Sequence, residues 1–243
     1  AQDDVVGMLV FEADRFVRDP PPHSEFGDTK AEENAWNSQI LALACNMLPR
    51  HPHHLAWAEQ ARRYMVCSYP TAKDAESDRL VDGKPLKEYI QGPNVHPDHT
   101  VENHGFFHPD YLACYSLMVR NACAYRLAGE PVPEATLFNV DPSRDVLNFL
   151  TLPNGWLFYP QETDWNNYRH EVLISAQHTN PMIPDPVGAR ALRWGIDFLE
   201  YADALHERDE SANLFPGLNF NCYPLNVLAE SYLLHVLFGP GAA

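Results

Sequence analysis

Two segments of helical periodicity, separated by the short turn Pro49-Arg50-His51-Pro52, constrain this chain more than any other feature. From Lys30 to Leu48 the residues Trp36, Ile40, Leu43, Ala44 and Met47 recur on one helical face. Asp28 or Thr29 stands where a cap is needed, and Glu32 and Glu33 fall in the first turn, where the helix dipole favours negative charge. From about His53 to Cys67, Trp57, Ala61, Tyr64 and Met65 repeat the pattern. Pro49 stops the first helix, and so short a connection turns the chain straight back, so an antiparallel helical hairpin is expected.

The rest of the chain repeats this style. An amphipathic helix is expected from Gln2 to Asp19, and others from Pro109 to Ala128 closed by Gly129, from Arg144 to Leu150, from about Asn167 to His178, from Val187 to Arg208 and from Pro224 to Phe238. Between them lie proline-marked connections. Ser68 to Asn103 is much longer than a simple loop needs to be, and loops of that size usually carry function. No run of alternating strands and no GxGxxG or GxxxxGK[ST] pattern supports a nucleotide fold. The expectation is one all-α domain over residues 1–243, made of helical hairpins whose loops gather at one end. Around seven helices would form an incomplete ring.

With 17 basic against 33 acidic residues, the net charge of −16 argues against nucleic acid and anionic membranes as partners. The apolar runs at Gln39 to Cys45 and Leu225 to Leu237 are too short or too interrupted to span a bilayer. The cysteines at 45, 67, 114, 123 and 222 are odd in number and form no CxxC pair, so they read as small core residues and not as a disulfide framework or zinc finger. The opening Ala-Gln-Asp-Asp fits a mature end after cleavage, in a secreted or periplasmic protein, or a fragment boundary.

Chemistry concentrates in Glu102 to Tyr111 (ENHGFFHPDY), where imidazole, amide, carboxylate and phenol crowd the entrance to a helix. That helix would carry Tyr111, Tyr115, Met118, Ala122 and Tyr125 on one stripe, aromatic and small, a composition suited to a cleft wall. A purely structural reading of the same stretch has Asn103 capping the helix, Pro109 opening it and the histidines satisfying loop carbonyls. Trp36, Trp57 and Trp194 fall within apolar stripes and are expected in the core. Trp156 and Trp165 lie in loop-like sequence and are expected on the surface.

Taken with Thr29 to Asn37 (TKAEENAWN) and Tyr159 to Tyr168 (YPQETDWNNY), this motif resembles the α/α-toroid carbohydrate-active enzymes, in particular the heparinase, alginate and chondroitin lyase group. The resemblance spans roughly residues 29 to 238 in style. It implies a groove across the loop end of the toroid and β-elimination at a uronic acid, in which the C5 proton is removed and the 4-linked oxygen departs. Residue by residue, it implies that Asn103 stabilises the substrate carboxylate, His104 abstracts the proton, and Tyr111 or Tyr115 donates one to the leaving group. It also implies that Glu33, Asn37, His108, Trp156, Tyr159, Asp164, Trp165 and Arg169 contact the glycan. Such chemistry needs fixed donors, because the C5 proton becomes removable only when the enolate-like charge is stabilised. No arginine sits beside the motif, so Arg120, Arg126 or Arg169 must be folded in. The implied partner is an oligo- or polysaccharide, and a further domain or chain would complete the ring.

A glycoside hydrolase on the same scaffold would need two carboxylates about 5 to 10 Å apart. Glu32 or Glu33, Glu102, Asp110, Glu162 and Asp164 are available, and Glu162 with Asp164 beside Trp156, Tyr159 and Trp165 is the best spot unless Asp164 simply caps the next helix. No cofactor is expected. A divalent metal would have to use His51-Pro52-His53-His54, His96-Pro97-Asp98-His99, or His104 with His108, and Pro109 makes helical ligand spacing doubtful for the last pair. A helical glycan-binding or scaffold module without turnover is a third class, and no GxSxG motif supports acyl transfer.

Overall fold

The computed structural model describes residues 2–152, 157–161, 179–208 and 223–241. Among the described residues helix dominates, and the β-structure is two tiny hairpins and one isolated bridge, Thr151 to Leu157. The chain divides into two compact units, residues 1–146 and 147–243.

In the first unit, α1 (Gln2–Arg18), α2 (Ala31–Met47) and α3 (His54–Val66) pack together, α2 and α3 as the expected hairpin. The C-terminal carbonyls of α1, which lack helical partners, are taken up by α3 and its neighbourhood. Gln60 Nε2 donates to Phe16 O (3.2 Å) and Asp19 O (2.9 Å), and the Tyr64 hydroxyl donates to Asp19 O (3.1 Å). Trp57 Nε1 donates to Asp14 Oδ1 at 2.8 Å, so the buried indole satisfies its only polar atom.

The face that α2 buries shares only Ala44 with the expected one. Trp36, Leu43 and Met47 are exposed, Trp36 by 53%, and the interior takes Ala31, Ala35, Ser38, Leu41, Ala42 and Cys45. Both faces of this helix are apolar enough to be buried. Small side chains allow α2 to approach α3 and the later helices closely, and that packing decides the direction.

The long connection after α3 is organised rather than loose. A 3-10 turn (Asp74–Glu76) leads to β1 (Leu80–Val81) and β2 (Lys84–Pro85), joined through Asp82-Gly83, then α4 (Leu86–Tyr89), then β3 (Glu102–Asn103) and β4 (Phe106–Phe107), joined through His104-Gly105. Both two-residue turns have positive φ throughout, 50° and 78° in the first and 52° and 88° in the second, the geometry that matches the twist of a tight hairpin. Asp82 is held by a reciprocal cap: its carboxylate accepts from Glu134 N (2.9 Å) and Ala135 N (3.0 Å), and its own N–H donates to Glu134 Oε2 (3.0 Å).

The expected helix from Pro109 to Ala128 is broken at Cys114 and Arg120 into α5 (Pro109–Ala113), α6 (Tyr115–Val119) and α7 (Asn121–Ala128), ending at left-handed Gly129 (φ 76°). Its stripe of Tyr111, Tyr115, Met118, Ala122 and Tyr125 is buried as core, where its composition suggested the wall of a cleft. After a 3-10 turn (Glu134–Leu137), α8 (Val140–Phe149) begins a turn earlier than its sequence pattern indicated.

In the second unit, helices Pro186–Arg208 and Tyr223–Phe238 lie close to the expected limits. Asp185 caps the first of them, accepting from Val187 N and Gly188 N at 3.1 Å each. The helix expected over Asn167 to His178 lies outside the described residues. No described helix is long and apolar enough to cross a membrane.

Candidate functional site: the His104 hairpin

The second hairpin carries the motif that stood out in sequence, and His104 occupies its tip instead of a helical turn. With φ at 52°, this residue adopts a backbone conformation that costs an L-residue roughly 1 kcal/mol or more. Glycine would be the low-energy choice, and strain of this kind tends to be retained where the side chain is needed. The side chain is exposed.

Although the backbone differs from the expected two-turn helical spacing, the rings still meet. The centroid of His104 lies 5.7 Å from Tyr111 and 6.1 Å from His108, both edge-to-face, and His108 lies 4.8 Å from Tyr111. Phe106 stacks on His108 at 5.2 Å. His108 is fully buried and Tyr111 nearly so, so the cluster has one exposed imidazole above a buried aromatic floor.

Two anchors hold this arrangement. Below, the fully buried Tyr69 hydroxyl donates to Tyr111 O (2.6 Å) and Leu112 O (3.1 Å), carbonyls at the end of the short α5. Burial pushes the Tyr69 phenol well above its usual pKa, so the donor proton stays in place. Beside the hairpin, the loop between α1 and α2 is stitched to it. Gly105 N donates to Gly27 O (2.7 Å), Thr29 N to Glu102 O (2.8 Å), and Gly27 N to Glu102 Oε2 (2.8 Å).

Deeper, the Asn94 amide accepts from Ser24 N (2.7 Å) and Lys30 N (3.3 Å) and donates to Cys67 O (2.6 Å). Asn34 Nδ2 reaches Pro22 O and the same Cys67 O at 2.8 Å each. A buried amide network of this kind fixes loops that lack regular secondary structure.

The sequence-derived site residues separate under this geometry. Asn103, His104, His108 and Tyr111 are brought together on the hairpin and the helix after it. Asn103 sits in β3 with its side chain almost fully buried, so it does not cap a helix; the residue before α5 is His108, which makes no side-chain cap. Tyr115 is fully buried one helix further on.

Glu33 Oε1 accepts from Lys30 Nζ (3.0 Å), and Lys30 also pairs with Asp28. Asn37 lies on α2 and is half-buried. Tyr159 belongs to the second unit and is half-buried. Trp156, Asp164, Trp165 and Arg169 lie outside the described residues, as does Glu162.

The histidine motifs weighed as metal ligands have other engagements. His53 Nδ1 faces Asp14 Oδ1 at 2.8 Å, and His51 stacks on Trp57 at 4.4 Å. Burial, the largest influence on Asp14, raises its pKa, but hydrogen bonds from His53 and Trp57 and the nearby histidines outweigh it and hold the carboxyl below its usual value. His96 sits between Glu25 Oε1 (3.6 Å) and Glu102 Oε1 (3.2 Å), one carboxylate at each ring nitrogen, so a single ion cannot engage all three through that ring. Among the described residues, no group of three His, Cys, Asp or Glu side chains is arranged to hold a metal ion.

Sequence reasoning missed Glu102 as the bracket of the hairpin, and it missed Asn34 and Asn94. An isolated Asn carries no signal of the buried carbonyls it will meet. The turn itself was signalled by Gly105 after a residue type that tolerates positive φ.

Comparison with known protein families, with curated proteins and with solved structures finds no match.

Proposed function

We propose that this chain is a polysaccharide lyase that cleaves a uronic-acid-containing glycan by β-elimination. The observation that carries the reading is the exposed His104 imidazole on a strained, pinned turn, 5.7 Å from the Tyr111 ring. A base and a phenolic acid side by side are what elimination across adjacent sugar carbons requires.

His104 takes the C5 proton, and the electron pair moves into the C4–C5 bond as the C4–O bond breaks. Tyr111 delivers a proton to the departing oxygen. Asn103, next along the strand and almost fully buried, is the amide that the resemblance implies as donor to the substrate carboxylate as negative charge builds there. Of the two tyrosines considered, Tyr111 is favoured because it touches the imidazole, and Tyr115 is buried beyond it. The architecture that suits this chemistry is an α/α toroid, with further helices from another domain or chain completing the ring.

A hydrolase is less well supported by the hairpin itself. Both oxygens of Glu102 are engaged, by Gly27 N and His96, and the chain's best carboxylate pair lies outside the described residues.

Incubating the protein with a panel of uronate polysaccharides tests the reading. A lyase generates the ultraviolet absorbance of a 4,5-unsaturated uronate at each cut, whereas new reducing ends without that absorbance would establish hydrolysis. Neither signal would leave a binding module.

A further inference from the structure

The outward side of α1 is apolar where a helix facing only water would be charged. Leu9 and Ala13 are buried, and on the opposite side Met8 and Phe11 stand 70% and 65% exposed, with Val5 at 62%. Single apolar residues on a surface are ordinary, but a row of them along one helix marks a docking face. Gly7 flanks the row. Glycine inside a helix costs stability relative to alanine, and nothing lies within 4 Å of the place a Cβ would occupy there. That space admits the close approach of a second helix.

The row also matches itself. Asp4, Met8, Phe11 and Arg15, all exposed, follow at steps of four, three and four, the spacing of a coiled-coil seam. Laid antiparallel on a copy of itself, with a two-fold axis passing between positions 9 and 10, the seam sets Met8 against Phe11 of the other copy and Asp4 against its Arg15, and symmetry makes each match twice. A parallel arrangement would set Asp4 on Asp4 and Arg15 on Arg15, like charge on like. Arg15 already accepts the company of Glu12, to which its Nε donates at 2.8 Å, and lies over the Phe16 ring at 4.3 Å. A guanidinium has five donors, so a second carboxylate can join it.

We infer that α1 is a self-association element, through which two copies of this chain pair by antiparallel helices with an Asp4–Arg15 ion pair closing each end of an apolar centre. The pairing is independent of the chemistry at His104.

Sedimentation velocity of the whole chain from about 1 to 500 µM tests it, the range in which a contact this small should associate. Wild type should pass reversibly from monomer to dimer as concentration rises. Asp4→Arg and Arg15→Asp each place like charges together at both ends of the seam, so either variant alone should stay monomeric. An equimolar mixture of the two should dimerise again, because the altered ends then match, and that recovery also shows that both variants fold. Phe11→Ala removes two rings from the dimer by symmetry and should weaken association about a hundredfold.

A wild type that stays monomeric throughout overturns the inference and leaves the row to a different partner. So does association that persists in both charge variants, a mixture that stays monomeric where wild type pairs, or an unchanged dissociation constant for Phe11→Ala.

Discussion

Replacing His104 with residues of graded tolerance for positive φ separates its backbone cost from its chemical role. At φ 52° the L-configured backbone carries roughly 1 to 2 kcal/mol of strain, at the low end for histidine, which visits this region more readily than most residues. His104→Gly removes the strain but adds about 0.5 to 1 kcal/mol of chain entropy in the unfolded state. It also loses the edge contacts to Tyr111 and His108, worth roughly 0.5 kcal/mol on an exposed ring. These terms nearly cancel, so His104→Gly and His104→Asn should unfold in urea within about 1 kcal/mol of wild type.

His104→Val, branched at Cβ, should be about 1 to 2 kcal/mol less stable than the glycine variant. All three should lose lyase turnover by about a hundredfold or more, the usual contribution of a positioned base. Equal stability for Val and Gly would refute the turn geometry. A folded glycine variant with normal turnover would refute the assignment of the base.

Three further perturbations probe the supports. Tyr69→Phe leaves the Tyr111 and Leu112 carbonyls without their buried donor, so it should cost about 1 to 3 kcal/mol in urea unfolding and lower turnover through the displaced Tyr111. Asp82→Ala removes both acceptors from the Glu134–Leu137 turn and leaves a poor residue at positive φ, and should cost about 1 to 2 kcal/mol where Asp82→Asn costs less.

His99 supplies a pH dependence. Burial outweighs the attraction of Asp74 and Asp98 and lowers its pKa from 6.5, so below about pH 6.5 the unfolded chain binds the proton more readily than the folded one. Thermal stability should therefore fall as pH drops from 6.5 toward the folded value, and His99→Asn, which also tolerates the local φ of 62°, should flatten that slope.

Helix positions were legible because prolines and capping residues punctuate strong periodicity. The limits of α2 and α3 fall within a residue of those expected, and Gly129 ends its helix in the left-handed form expected of a terminal glycine. Which face of α2 turns inward was not legible. Trp36, Ile40, Leu43 and Met47 form as good an apolar stripe as the alanines opposite, and only the closeness of neighbouring helices selects the small side chains.

The hairpins were missed for a different reason. Two-residue strands contain too few residues to show alternation, and the Asp82-Gly83 turn signal was absorbed into a region taken as loop. At the candidate site, the residue types were legible and the geometry was not. His104 and Tyr111 meet through a turn and a helix start, and the hydrogen bonds from Gly27 and Tyr69 that hold them come from distant parts of the chain.

The central claim, that the His104 imidazole removes the C5 proton of a uronate, is tested most directly by a single-turnover measurement with a glycan deuterated at C5. Wild-type protein should form the unsaturated product several-fold more slowly from the deuterated glycan than from the protiated one, and His104→Gly should form it from neither at a measurable rate. Equal rates for the two isotopes, or product from the glycine variant at the wild-type rate, would contradict the account.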